Sequence, residues 1–196
     1  MADLLPPRLC CILRVTQPYF ICLMRKKFYR QKKDFLTIIA PDKQIVHLVI
    51  AAVELIKRVD KMEYKKLPKR LKIIFVTNRF GFTNEFFMPE KIWFANKSVI
   101  LKNDVNWLAS LIIHEAYHAT QFKKGKYILP LSRLESAAIK AQKKFLRKLG
   151  ESENDADVAF VADYNKKMNE DRISFSHFRN LLGLFEGGQL NFIDIK

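Results

Sequence analysis

At 196 residues, with 49% hydrophobic and 12% aromatic content, the chain holds enough apolar material for a buried core, which excludes a disordered tail or a low-complexity linker. A formal charge of +15 favours anionic partners such as nucleic acid or an acidic membrane surface; the plainer account is lysines dispersed over solvated helix faces, since no nucleic-acid motif accompanies them. Cys10, Cys11 and Cys22 lack the spacing of a zinc ribbon or a disulfide framework, so a reducing compartment is expected.

The opening segment MADLLPPRLCCILRVTQPYFICLM is apolar, but Arg8 and Arg14 interrupt it and Pro6, Pro7 and Pro18 break helices. Its uncharged runs fall far short of the roughly 20 residues that span a bilayer, and no small-residue cleavage site follows. With the basic cluster RKKFYRQKK behind it, residues 1–40 read as an N-terminal arm, either poorly ordered or preceding a start at Met24, with some affinity for an anionic surface. Neither a transmembrane helix nor a cleavable signal is expected, which suits a cytoplasmic protein or one secreted without a cleaved leader.

Residues 41–196 read as a single domain. PDKQIVHLVIAAVELIKRVDKM has a Pro-Asp start and apolar residues at helical spacing (Ile45, Leu48, Val49, Ala52, Leu55, Ile56, Val59), with His47 on the lysine-bearing outer face. The next segment breaks at Pro68 and supplies a β-branched and aromatic run, Ile73 to Thr77, ended by Asn78 and Gly81. KIWFANKSVIL reads as two short strands around a turn at residues 95–98. The expected fold class is therefore α+β, a small antiparallel sheet preceding a helical core.

The next helix starts at Asn103 or Asp104, both good N-caps, and stops near Gly125. Between Leu108 and Ile113 apolar side chains occupy every direction around its axis, which marks a central helix. It contains the motif HEAYH. At about 100° per residue His114 and His118 lie roughly 40° apart on one face, together with Trp107, Ser110 and Gln121, while Glu115 is offset by about a quarter turn. Two neutral imidazoles converging on one point are a preferred setting for zinc, and a carboxylate beside them can reach a metal-activated water without binding the metal. The plain alternative is a pair of core histidines satisfied by hydrogen bonds.

A further helix, LPLSRLESAAIKAQKKFLRKLG, ends at Gly150. Leu131, Ala138, Ile139, Gln142, Leu146 and Leu149 fall within about 60° of Glu135, whereas the Lys and Arg side chains lie beyond about 80°. Glu135 therefore sits mid-stripe, where a buried carboxylate wants a cation. The rival is local: Ser132, three residues earlier, makes S-x-x-E, a capping box.

HEAYH followed, after a linker of 16 residues, by Glu135 within LESAAIKAQ resembles the gluzincin class of zinc metallopeptidases, in which the third ligand is a glutamate on a later helix. The short chain resembles the reduced single-domain members called minigluzincins, and the likeness covers roughly residues 70 to 150. It implies a zincin-like core, one Zn²⁺ per chain held by His114, His118 and Glu135, a strand hairpin whose edge aligns a peptide or protein substrate, and Glu115 as the general base acting on a metal-activated water. A second donor would steady the oxyanion, with Tyr127, Tyr164 and His177 as unranked candidates. One departure separates the chain from thermolysin-type members: they carry an aspartate four residues after the glutamate ligand, and Ile139 stands there.

Downstream, ESENDADVAFVADYNKKMNED concentrates acid, with Ser152 as a cap and Val158, Phe160, Val161 and Tyr164 ready to pack on the ligand helices. ISFSHFRNLLGLFEGG adds another short helix to this C-terminal extension. Two functions compete: a zinc peptidase, and a non-catalytic basic binding protein for nucleic acid or an anionic surface whose histidines are structural.

Overall fold

A computed structural model describes residues 27–77, 84–87, 91–102, 104–123, 131–151 and 191–195. The chain divides into two compact units, one of residues 1–28 and 173–193, the other of residues 29–172 and 194–196. The site belongs wholly to the second. Among the described residues there are six strands and five helices, an α+β arrangement in chain order: β1 (Lys27–Lys33), β2 (Leu36–Ala40), α1 (Lys43–Val59), α2 (Lys61–Arg70), β3 (Ile73–Thr77), β4 (Asn84–Phe87), β5 (Ile92–Asn96), α3 (Lys97–Lys102), α4 (Val105–Lys123), α5 (Leu131–Leu149) and β6 (Asn191–Asp194).

The sheet is mixed, not the small antiparallel one expected. From β1 to β5 its order is β4-β5-β3-β2-β1. β2 and β3 run parallel, with Thr37 opposite Ile73, and β3 and β5 run parallel, with Phe75 opposite Phe94, whereas β1–β2 and β4–β5 are antiparallel. The continuous apolar runs LTIIA and IIFVT explain the difference: strands covered on both faces lose the in-out alternation of an antiparallel sheet, and α1 and α2 form the crossover between them. Ile38, Ile39, Ile74, Phe75 and Val76 are accordingly buried.

Residues 27–40, read from the sequence as the end of an arm, form β1 and β2. The basic side chains hid the strand, because lysines are common toward a sheet margin, where they discourage pairing with foreign strands. A two-residue turn at Asp34 and Phe35 joins the pair, Asp34 taking a φ of 51° that aspartate tolerates better than most residues. At the far end of the chain Ile195 N–H donates to Arg30 O at 2.9 Å, and Asp194 accepts both forks of the Arg30 guanidinium.

Two further expectations are corrected. Pro68 does not end an element but lies inside α2, whose Leu67 is buried while Leu71 N–H still closes on Leu67 O at 2.8 Å. Burial of the Leu67 anchor offsets the single helical hydrogen bond that proline removes. Residues 92–101 are one strand followed at once by α3, because Asn96 Oδ1 accepts from Ser98 N–H at 2.9 Å and caps the helix that a short apolar run left ambiguous.

α4 begins where expected, with Asp104 Oδ1 accepting from Trp107 N–H at 2.7 Å as its N-cap. Every residue from Leu108 to Ala116 is buried, since α4 packs against α1, α2, α5 and β4. α5 closes at Gly150, whose φ of 77° lets Glu151 N–H reach Leu146 O and Gly150 N–H reach Arg147 O. Among the described residues no helix is long and apolar enough to cross a membrane. His47 is exposed, as its helix face required.

Asp60 ties α2 to α5. Its carboxylate caps α2 by accepting from Glu63 N–H at 3.1 Å and receives Lys148 of α5, although the residue is only 5% exposed. Burial raises its pKa, but Lys148 and the backbone N–H groups of Glu63 and Met62 outweigh burial and leave it below the ordinary value of 3.8. A folded pKa below the unfolded one means that the contribution is full at neutral pH and fades as pH falls through the lowered value. Asp60→Ala is expected to cost about 1–2 kcal/mol in urea unfolding at pH 7. The gap from wild type should shrink below pH 4 or so.

Candidate metal centre

α4 and α5 run antiparallel, and the order of contacts along them follows. Ser110 and His114, one turn apart on α4, meet Gln142 of α5; His114 and His118 meet Glu135, two turns earlier on α5. The 3.6-residue period that put these side chains on single faces thus becomes a closed cluster once the faces are pressed together.

Among the described residues, one group of His, Cys, Asp and Glu side chains offers three ligand atoms within 4.8 Å of one another: His114, His118 and Glu135. His114 Nε2 lies 3.2 Å from Glu135 Oε2, and His118 Nε2 lies 3.5 Å from Glu135 Oε1. The two rings stand 5.1 Å apart at 76°. Tetrahedral bonds of about 2.0–2.2 Å place neighbouring ligand atoms about 3.4 Å apart, so the two histidine–carboxylate separations are of the size found between groups sharing one ion.

Burial makes the arrangement costly without a cation. The His114 side chain is fully buried, and those of His118 and Glu135 are 13% and 15% exposed. Glu135 Oε2 is buried and receives no hydrogen bond. His114 Nδ1 lies 3.1 Å from Gln142 Oε1, and His118 Nδ1 lies 3.4 Å from Gln121 Oε1. Each amide oxygen calls for a hydrogen on Nδ1, which leaves the Nε2 lone pairs facing a carboxylate. Only a cation between them, a proton or a metal ion, turns that arrangement into attraction.

The charge balance of the rings agrees. Burial pushes the His114 pKa down, yet the Glu135 and Glu115 carboxylates and Gln142 overcome burial and leave it raised. For His118 burial dominates, the neighbouring His114 adds to it, and the pKa is lowered. In the metal-free protein a proton and a metal ion therefore compete for the same ring, and any proton held on His114 Nε2 must leave when a metal enters. The nitrogen, nitrogen and oxygen donor set suits a divalent transition ion better than Mg²⁺ or Ca²⁺, which prefer all-oxygen sites.

The four residues given metal or catalytic roles from the sequence all lie among the described residues. His114, His118 and Glu135 come together, and Glu115, 3% exposed, is close enough to influence the His114 ring. The helix starts at Leu131, so Ser132 lies inside the first turn, and the Glu135 carboxyl is directed to the imidazoles rather than to a cap. Tyr127, Tyr164 and His177, and the C-terminal segment with Ser152, Val158, Phe160 and Val161, lie outside the described residues.

Gln142 is the residue that sequence reasoning placed but did not interpret. It is 1% exposed and joins His114 to Ser110, whose hydroxyl donates to Trp107 O at 2.7 Å. The available signal was an amide in the middle of an apolar stripe, seven residues after Glu135 and so on the same face. Ser110 and Gln121, assigned to the histidine face, both take part in holding the rings.

Comparison with known protein families, with curated proteins and with solved structures finds no match to this chain.

Proposed function

We propose that the protein is a zinc-dependent peptidase of the gluzincin type, with one Zn²⁺ per chain held by His114, His118 and Glu135. The convergence of these three side chains at ligand-to-ligand spacing, around a buried carboxylate oxygen that receives no hydrogen bond, is the observation that supports it. Three protein ligands leave a coordination position open, which is the pattern of catalytic rather than structural zinc. When bound, zinc supplies Lewis acidity that draws the pKa of water toward about 7 and polarises a carbonyl.

The chain's own residues account for the rest of the chemistry. Glu115 adjoins the ligand pair without being one of the three ligands, and its burial at 3% exposure keeps its carboxylate poorly solvated. It takes a proton from the attacking water and delivers it to the departing amine. The amide oxygens of Gln142 and Gln121 keep the rings turned toward Glu135. Among the described residues β4 is an edge strand of the sheet, paired with β5 and in contact with α4, so its outer backbone groups suit an extended peptide added as a further strand.

Zinc-loaded protein incubated with a mixture of peptides of varied sequence tests the reading, with new termini followed by mass spectrometry. Cleavage should stop on adding a zinc chelator and return when zinc is restored. A zinc-loaded protein that leaves every peptide intact overturns the peptidase reading and favours a basic binding protein with a metal-stabilised core.

A further inference from the structure

We infer that Gln142 is a positioning residue for the metal centre: its amide decides which ring nitrogen His114 presents to Glu135. The hydrogen-bond chain has a direction set at its far end. The Trp107 carbonyl can only accept, so the Ser110 hydroxyl, 2.7 Å away, donates to it. The Ser110 oxygen then receives a hydrogen from Gln142 Nε2 at 3.1 Å. That assigns the two ends of the amide, leaving Oε1 against His114 Nδ1 at 3.1 Å. A carbonyl oxygen needs a donor, so Nδ1 holds the hydrogen and Nε2 holds the lone pair, 3.2 Å from Glu135 Oε2.

Nothing wet competes with this relay, because Gln142 is 1% exposed and Ser110 and His114 are fully buried. The opposite tautomer would set the Nδ1 lone pair against the amide oxygen and a hydrogen where a metal ligand is required. The partner of the His114 ring is thus a neutral amide, seven residues along α5 from Glu135. A neutral partner orients the ring without adding negative charge to a site that already holds Glu115 and Glu135.

The consequence for metal binding rests on the proposed zinc site, but the tautomer itself can be read without metal. In the metal-free full chain, long-range proton–nitrogen spectra of the imidazoles at alkaline pH should show His114 hydrogenated at Nδ1. Gln142→Leu should lose that preference and bind zinc 10–100-fold more weakly in competition with a chromophoric chelator. Gln142→Glu, which can accept from Nδ1 while Ser110 turns its hydroxyl, should restore both to within about tenfold of wild type. Should Gln142→Leu fail to fold, Ser110→Ala must produce a partial loss of the same preference.

A residue that only fills space would lower stability without moving the tautomer. A wild-type ring hydrogenated at Nε2 overturns the inference, as does a folded Gln142→Leu with wild-type zinc affinity. If the wild type binds no zinc, the proposed activity falls, while the ring spectra still decide the role of Gln142.

Discussion

Protein reconstituted with zinc and desalted will retain one equivalent per chain, and a His114→Ala/His118→Ala variant will retain none. The expectation follows from the three ligand atoms lying within 4.8 Å of one another, since two of the three are then removed. At the proposed site zinc would bind the folded chain and not the dispersed ligands of the unfolded one, so at a free concentration about 1,000 times Kd it should add about 4 kcal/mol of stability. For a chain of this size that corresponds to a rise in Tm of roughly 8–16 °C, which the double variant should not show. His114 is buried against Gln142, so its loss also leaves an amide oxygen short of a donor at about 1–3 kcal/mol. His118→Ala alone, at a partly exposed position, separates loss of metal from loss of fold. Because the His114 pKa is raised and protons compete with the metal for the ring, zinc affinity should fall as pH drops through that raised pKa. A fully folded wild type without bound metal at neutral pH would end the assignment.

Glu115→Gln should keep its zinc and lose peptide cleavage by about 10²–10⁴-fold in kcat. The amide matches the carboxylate in shape at a position only 3% exposed, so packing against the rest of α4's surroundings is preserved. What disappears is the capacity to accept a proton from water and return it to the amine. The exchange also removes one of the charges that raise the His114 pKa, so proton competition for the ring weakens rather than strengthens. Zinc content by elemental analysis, beside the rate of appearance of new peptide termini, reads both halves of the expectation. A variant that cleaves as fast as wild type would show that another group moves the proton.

The elements that could be read from the sequence are those with a strong local period. β3 matches its expected span, Ile73–Thr77, because five apolar or β-branched residues between polar breakers fit little else. α1, α4 and α5 announce themselves through caps and apolar faces, with Asp42 and Asp104 in the capping roles their positions suggested. β1 escaped notice because its solvent-facing lysines masked a strand, and α3 because a short apolar run fits a helical turn as well as an extended one. Parallel pairing was equally hidden, since which strand lies beside β2 depends on how α1 and α2 cross the sheet.

The sequence by itself determined that His114 and His118 share a face, that Glu115 is offset from it by about a quarter turn, and that Glu135 and Gln142 occupy an apolar stripe. Each of those statements depends on a rotation of about 100° per residue within one helix. Only the tertiary structure decided that the two stripes meet in antiparallel register, setting Glu135 against both Nε2 atoms and Gln142 against the other side of His114. A helix fixes the directions of its own side chains, whereas the depth and offset at which it meets another are set by packing across the whole core.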